Sequence, residues 1–368
     1  YSLARLNADG SVDATFYNTF SSGAVNALAR QSDGKILVGG QFLALQGTTN
    51  LFSFLRLTAD GRRDNSYPQR VAAQGSVQFI QVATNDTANP NAARLGGVLP
   101  EVGGGRTNYL LSLKVDAAVE FAYGGAGAVN GAVVSQATQS DGKLLLAGFF
   151  TQANGAPWNR VLRLNADNTP DPSFKIGSGA DAEVLALAVQ ADGRILLAGG
   201  FTSFNGTPCG GLVRLNSDGS IDGTFKPGTG ANDRIYHTQL QPNGDVVLLG
   251  AFSAFNGSSR GGIARLSSDG SLLAAFAGLT PASVVPCGIR ATAFQADGKI
   301  LIGGDFNAVR GRHLPGVARL NADGTLDQSF RPGVGVDGLV QNIGLDSDGR
   351  ILLAGTFTAV QGAVRTSL

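Results

Sequence analysis

An all-β fold, a β-propeller of seven four-stranded antiparallel blades, is predicted for this 368-residue chain by three observations. The first is a repeat. Arg5-Leu6-Asn7-Ala8-Asp9-Gly10 returns at Arg56-Leu57-Thr58-Ala59-Asp60-Gly61, and again from Arg163, Arg214, Arg265 and Arg319. Successive copies are 51 or 54 residues apart, except across one degenerate unit. A fixed period of this size signals a repeat architecture. The second is run length: apolar runs are short, about 4–8 residues, and Gly or Asp-Gly interrupts each one, which suits strands and not helices. The third is that each period holds four such runs. A four-stranded meander cannot bury both of its faces alone, so copies must stack.

The copy at residues 184–225 is the cleanest. Val184-Leu185-Ala186-Leu187-Ala188-Val189 reads as strand A. Asp192-Gly193 follows as a hairpin signal, because Gly accepts the positive φ of a tight turn. Arg194-Ile195-Leu196-Leu197-Ala198-Gly199-Gly200 is strand B, and residues 205–210 form a loop. Gly211-Leu212-Val213-Arg214-Leu215-Asn216 is strand C. A second Asp-Gly turn at Asp218-Gly219 leads to strand D, Ser220-Ile221-Asp222-Gly223-Thr224-Phe225.

First hairpins recur at Gly34, Gly142, Gly193, Gly244, Gly298 and Gly349. The gap of 108 between the first two is twice 54, so a blade is hidden there. Val77-Gln78-Phe79-Ile80-Gln81-Val82 is its A strand, residues 85–90 a longer turn, and residues 109–116 its C strand. One seven-bladed domain over residues 1–368 follows, with blades starting near 25, 77, 131, 184, 235, 289 and 340. Residues 2–16 hold strands C and D with no A or B before them. The last unit holds A and B and at most the start of C. The N- and C-terminal strands are therefore expected to share one blade and close the ring. Thr366-Ser367-Leu368 and Tyr1-Ser2-Leu3 overlap in register, which also suits an excerpt of a longer array.

Composition narrows the function. Lys plus Arg number 28 against 27 Asp plus Glu. That balance argues against nucleic acid, whose phosphates need a basic patch. No apolar run reaches the length of a membrane-spanning helix, so membrane insertion is not expected. The chain opens at Tyr1 in mid-repeat and contains no Met, which reads as a processed product or a fragment. Cys209 and Cys287 are too few for a disulfide scaffold and wrongly spaced for zinc. Two independent thiols are expected, with a single disulfide as the alternative.

The full pattern is Gln-x-Asp-Gly-Lys-Ile-Leu-x-Gly-Gly-x-Phe, then Asn-Gly, then Arg-Leu-Asn-x-Asp-Gly-Ser-x-Asp-x-x-Phe. Gln295-Ala296-Asp297-Gly298-Lys299-Ile300-Leu301 and residues 319–330 carry it most clearly. It resembles the bacterial delta-60 repeat, a β-propeller repeat of large secreted or surface proteins. Six of seven units match, and residues 77–121 depart from it. The resemblance implies an extracellular or cell-surface location. It brings no catalytic residues.

The connectivity sorts loops onto two faces. A–B and C–D turns share one face and are nearly all Asp-Gly hairpins. B–C loops and the crossings into the next A strand share the other, and they vary between copies. Binding residues concentrate on loops held by a rigid scaffold. The variable face is therefore the candidate site, with Trp158 as a stacking surface and Asp233, Arg234, Arg312 and His313 as hydrogen-bonding groups. The plainer reading is that Trp158 packs over a blade edge and the charges are solvated. Other crossings are residues 181–183, residues 281–287 and Val336-Asp337; Arg260 and Arg310 also lie in B–C loops.

Several motifs lead nowhere chemical. The Arg of each Arg-Leu-Asn copy recurs once per blade, so it is structural, and pairing with an Asp such as Asp222 or Asp327 is expected. Asn321, Asp323 and Asp327 faintly resemble a calcium loop, but a hairpin explains the same residues. His237 and His313, the two histidines, lie in different blades. Gly103-Gly104-Gly105 lacks the Lys of a phosphate loop. No cofactor and no metal are expected. The favoured reading is a noncatalytic extracellular binding, adhesion or scaffold module for a glycan or protein, part of a larger surface assembly or longer chain. The alternatives are a carbohydrate-active hydrolase or lyase with acids at the channel mouth, and a structural spacer.

Overall fold

The computed structural model describes residues 2–17, 20–44, 51–67, 75–82, 92–99, 108–114, 119–124, 129–279, 288–361 and 363–364. Every regular element among them is a strand. They form seven sheets of three or four strands and five two-stranded hairpins. Two compact units emerge from the contacts: residues 1–125, 291–322 and 326–368 make one, and residues 126–290 with 323–325 make the other.

In the copy at residues 184–225 the strands are Val184–Val189, Ile195–Gly199 and Leu212–Leu215, with the second in the centre. Ile195-Leu196-Leu197-Ala198-Gly199 is buried throughout. An unbroken apolar run of this kind suits a strand covered on both faces. The A–B turn is tight, as expected. Gln190 N–H donates to the Arg194 carbonyl at 2.8 Å, and Gly193 N–H to the Gln190 carbonyl at 2.9 Å. Gly193 has φ 82° while Ala191 and Asp192 stay at negative φ. This is a type I turn closed by a glycine bulge, the common three-residue hairpin.

Two expectations are corrected. The blades are not generally four-stranded. In six copies the outer strand D shrinks to one bridge, as in Leu215 with Ile221 and Leu320 with Leu326, leaving sheets of three strands. In five of the six the Asp of Asp-x-x-Phe or Asp-x-x-Tyr bends the chain; in the sixth Leu273 stands in its place and the sheet still ends at the Leu266–Leu272 bridge. Asp222 Oδ1 accepts from the N–H and hydroxyl of Thr224, at 2.9 and 2.6 Å, which bends the chain out of the ladder. Such local side-chain bonding competes with sheet pairing. Among the described residues the sheet with four full strands belongs to the degenerate unit: Ser76–Val82, Ala93–Leu99, Asn108–Leu113 and Val119–Gly124. It lacks the motif that breaks strand D. Its turn at 85–90, the glycines at 103–105 and residues 115–116 lie outside the described residues.

The B–C connections are not irregular loops either. Ser203–Phe204 pairs with Thr207–Pro208, and equivalents occur in four other copies. Asn205 and Gly206 turn this hairpin at φ 48° and 74°. Positive φ at both central residues defines the type I′ turn that Asn-Gly favours.

Apolar clusters join consecutive sheets within each unit. In one unit Leu145 and Val161 pack with Val184, Leu197 and Val213, and Leu196 and Leu212 with Ile235, Leu248 and Phe255. In the other, Leu301 and Val317 pack with Val340, Ile351 and Leu353.

The N-terminal strand Leu3–Leu6 pairs antiparallel with Ile351–Thr356, Leu3 opposite Ala354 and Leu6 opposite Ile351. The two ends of the chain thus build one sheet. Residues 365–368, where the register overlap was read, lie outside the described residues.

Candidate functional site

The repeat motif resolves into one buried assembly. Arg214 Nε donates to Asp222 Oδ2 at 2.7 Å, and its guanidinium lies 4.6 Å from the centre of the Phe225 ring. Arg5 with Asp13, Arg56 with Asp64, Arg163 with Asp171 and Arg319 with Asp327 repeat the ion pair at 2.7–2.9 Å. Arg214 Nη1 also donates to the Ser268 carbonyl of the next copy at 2.5 Å. These arginines hold sheets together, as their recurrence implied. Burial works against ionisation at Asp13, yet hydrogen bonds from Thr15 and the Arg5 guanidinium bring its carboxyl down to about 2. In the stretch resembling a calcium loop, Asp327 is committed in the same way, to Arg319 and to Ser329.

On the crossing face, a second set of side chains is structural. Asp181 Oδ1 accepts from the backbone N–H groups of Thr202 and Ser203, at 2.9 and 3.1 Å, and Oδ2 from both hydroxyls. Asn130, Asn232 and Asp337 latch their B–C hairpins likewise. Burial would raise the Asp181 pKa, but these bonds outweigh it and hold it at about 2. Asp337 is lowered for the same reasons. Sequence reasoning missed these latches. The signal was there: Asn130, Asp181 and Asn232 are 51 residues apart.

Beside the latches lie shallow grooves at the same place in the repeat. One, of about 240 Å³, is lined by residues 199–202, 210–211 and 231–234, including Asp233 and Arg234. Arg234 Nε donates to Glu183 Oε1 at 2.7 Å, and Asp233 Oδ1 accepts from Arg234 N–H at 2.7 Å. This pair crosses Gly200, where an added Cβ would stand 2.4 Å from Glu183 Oε1. Burial favours the neutral Glu183, but the Arg234 bond and the charges of Arg234 and Arg160 hold its pKa below the ordinary value. The counterpart groove in the other unit, about 320 Å³, is lined by Asp305, Phe306, Asn307, Pro315, Gly316, residues 334–338 and Ala359.

The remaining predicted residues are scattered. Trp158 is half-buried against the cluster of Val184, Phe204 and Cys209. Its N–H donates to Thr151, as those of Cys209, Arg260 and Leu314 do to Thr202, Ser253 and Asn307. It fills a packing position of the repeat. Arg312 and His313 form the second strand of a B–C hairpin in the other unit. Arg312 Nη1 donates to Gln328 Oε1 at 2.9 Å, and His313 is exposed. Of the five, the structure brings together Asp233 and Arg234. Residues 281–287 of the expected crossing, with Cys287, lie outside the described residues. Cys209 is a free thiol. Burial, aided by the Asp181 charge, raises its pKa to about 11, so it is not a thiolate near neutral pH. His237 is half-buried with Nε2 against the Arg290 carbonyl, and desolvation lowers its pKa.

No curated protein sequence matches the chain. Solved structures resemble it in fold. The extracellular domain of a putative hybrid two-component system from B. thetaiotaomicron aligns at TM-score 0.57 and 14% identity, over 93% of this chain and 39% of that one. This chain therefore spans well under half the length of that structure. The WD40 β-propeller domain of Doa1 aligns at 0.52 and 13% identity, over 93% and 94%. YCF48 bound to D1 peptide aligns at 0.50 and 10%, over 91% and 95%. The sequence profile of a β-propeller domain of unknown function, DUF5122, matches residues 1–16, 31–67, 139–174, 190–225, 241–272, 295–330 and 347–368. Four of these segments hold an Arg–Asp–Phe assembly and a fifth, 31–67, its Arg56–Asp64–Tyr67 equivalent; together the segments cover more than half of the chain, and the chain belongs to the DUF5122 β-propeller family.

Proposed function

We propose that this chain is a noncatalytic extracellular binding or scaffold module of a larger bacterial surface protein. In this reading residues 1–368 form a single seven-bladed propeller closed by its two ends, and a glycan or protein ligand is held on the crossing face. One observation carries it. The crossing-face acids Asp181 and Asp337 are saturated by hydrogen bonds and have lowered pKa values. A general acid needs a raised pKa and a proton, and a base or nucleophile needs an uncommitted oxygen; these carboxylates, held to their hairpins through both oxygens, suit the scaffold instead. The rigid latches leave neighbouring positions free to vary. Support for a surface location comes from the delta-60-like motif and from the two-component extracellular domain, a fold likeness.

The residues offered for contact are Trp158, Asp233, Arg234, Arg312 and His313. Glycan-array and pull-down binding should fall when they are changed to Ala. Binding should survive Ala at Lys35, Lys143 or Lys299, which follow the A–B turns at the opposite end of their sheets. Loss confined to the Lys variants would place recognition on the other face and end this reading.

A further inference from the structure

The copy at residues 133–174 departs from its neighbours at two positions that meet on one surface. After the B strand, other copies carry Gly200, Ala251, Asp305 and Thr356; this copy carries Phe149, which is 47% exposed. Just before the C strand, others carry Gly211, Gly262 and Gly316, with φ between 72° and 84°. This copy carries Arg160 at φ 70°. The backbone role is the same: the Arg160 carbonyl accepts from Gly148 N–H, as those of the three glycines do from Gly199, Gly250 and Gly304. A left-handed backbone disfavours any residue with a Cβ relative to glycine, so the guanidinium is kept here against local preference. Strain of this kind is a pointer to function.

Arg160 links the two positions. Arg160 Nη1 donates to the Phe149 carbonyl. Among the described residues its Nε is buried and has no hydrogen-bond partner. The Arg160 charge acts on Glu183, which pairs with Arg234 at 2.7 Å, and Asp233 caps the Arg234 backbone. The exposed Phe149 ring thus stands on backbone that Arg160 holds, and the charged groups linked through Arg160 and Glu183 (Arg160, Glu183, Arg234 and Asp233) sum to zero net charge. A charged ligand would gain from one pair and lose to the other. A sugar ring suits the set: its C–H face needs an apolar plane, and each hydroxyl both donates and accepts.

We propose that Phe149, Arg160, Glu183 and Arg234 form a binding site for a neutral pyranose, stacked on Phe149, with the arginines donating to its hydroxyls and Glu183 accepting from them. This rests on the crossing face being the binding face.

The test uses the whole chain, Phe149→Ala, Arg160→Gly and Lys143→Ala. Each is titrated calorimetrically with gluco-, galacto- and manno-oligosaccharides and with an oligouronate. Phe149→Ala and Arg160→Gly install residue types that other copies carry, so melting should be unchanged or improved for Arg160→Gly. At least one neutral oligosaccharide should bind, with at least 10-fold weaker affinity in both variants and unchanged affinity in Lys143→Ala. Three outcomes overturn the site: an Arg160→Gly protein that melts well below the parent, tighter binding of the oligouronate, or no saccharide binding. If saccharide binding is lost on changing Arg312 or His313 but survives both test variants, this site falls and the crossing-face reading stands. Loss confined to Lys143→Ala removes both.

Discussion

Arg265 shows at the residue scale what the repeat protects. In five copies the motif Arg pairs with an outer Asp, and in four of these a Lys or Arg after the first hairpin adds a second cation to the same carboxylate, as Lys143 does at Asp171 (2.9 Å) and Arg194 at Asp222 (3.3 Å). In the copy at residues 235–276 both partners change. Leu273 stands where the outer Asp should be, and Asp245 where the hairpin cation should be. Asp245 Oδ2 accepts from Arg265 Nε at 2.9 Å. The carboxylate now comes from the A–B hairpin and takes the same Nε. Removing one partner of a buried pair strands the other charge. We expect Asp245→Lys to cost about 2–3 kcal/mol, below the range for fully buried pairs, because the Arg265 side chain is 24% exposed. Adding Leu273→Asp should recover most of it in denaturant titrations. If the double variant is no more stable than the single one, charge pairing is not what the position maintains.

At the scale of the element, the two Asp-Gly turns of each copy look alike in sequence and differ in their surroundings. Gly193, in the A–B turn, has φ 82°, and an added Cβ would meet nothing nearer than Ser217 Cβ at 3.7 Å. Gly219, in the C–D turn, has φ 92° and lies against the preceding copy. A Cβ there would stand 2.8 Å from the Phe174 ring and from Lys175 N, whose N–H donates to the Asp218 carbonyl at 2.7 Å. The first glycine answers to backbone conformation alone and the second also to close approach. Gly193→Ala should therefore cost about 1–2 kcal/mol, and Gly219→Ala clearly more, read as the difference in denaturation midpoints. Equal costs would mean that the C–D turn can shift away from Phe174, and that the contact between copies is looser than its geometry implies.

At the scale of the whole molecule, the chain's ends meet. Beyond the strand pairing, Arg319 Nη1 donates to the Ala8 carbonyl at 2.6 Å, Arg331 N–H to the Asp9 carbonyl at 2.8 Å, and Gln361 Nε2 to the Gly10 carbonyl at 2.8 Å. The N-terminal segment thus occupies the place of the copy after residues 319–331, with the contacts that Arg163 makes to Ser217 and Lys175 to Asp218. Deleting residues 1–16 would bare the edge of Ile351–Thr356 and remove the Arg5–Asp13 pair. Exposed edges template aggregation. A large fall in melting temperature, or oligomers by light scattering, is expected. A truncated chain that stays monomeric and equally stable would show that the shared sheet is dispensable.

Much of this was legible in single copies. The strands follow from the short apolar runs, the A–B turns from Asp-Gly at residues such as Asp192 and Gly193, and the role of Arg214 from its recurrence with Asp222 eight positions on. Each is a relation within a short window, so one copy encodes it and repetition makes it visible. The truncation of strand D was less legible, because Asp222 can serve a strand or bend it, and its bonds to Thr224 and Arg214 decide which. The candidate site was scarcely legible. Asn205 accepts from Ser178 across 27 residues, and Arg234 meets Glu183 across 51. The packing of Trp158, and the separation of Arg312 and His313 from Arg234 into another unit, likewise depend on how one copy lies against the next. By itself the sequence determined the repeat, its strands and its turns, since these obey local periodicity and backbone chemistry. Which side chains remain free to meet a ligand was decided only by tertiary register, because that fixes which distant partner each side chain reaches first.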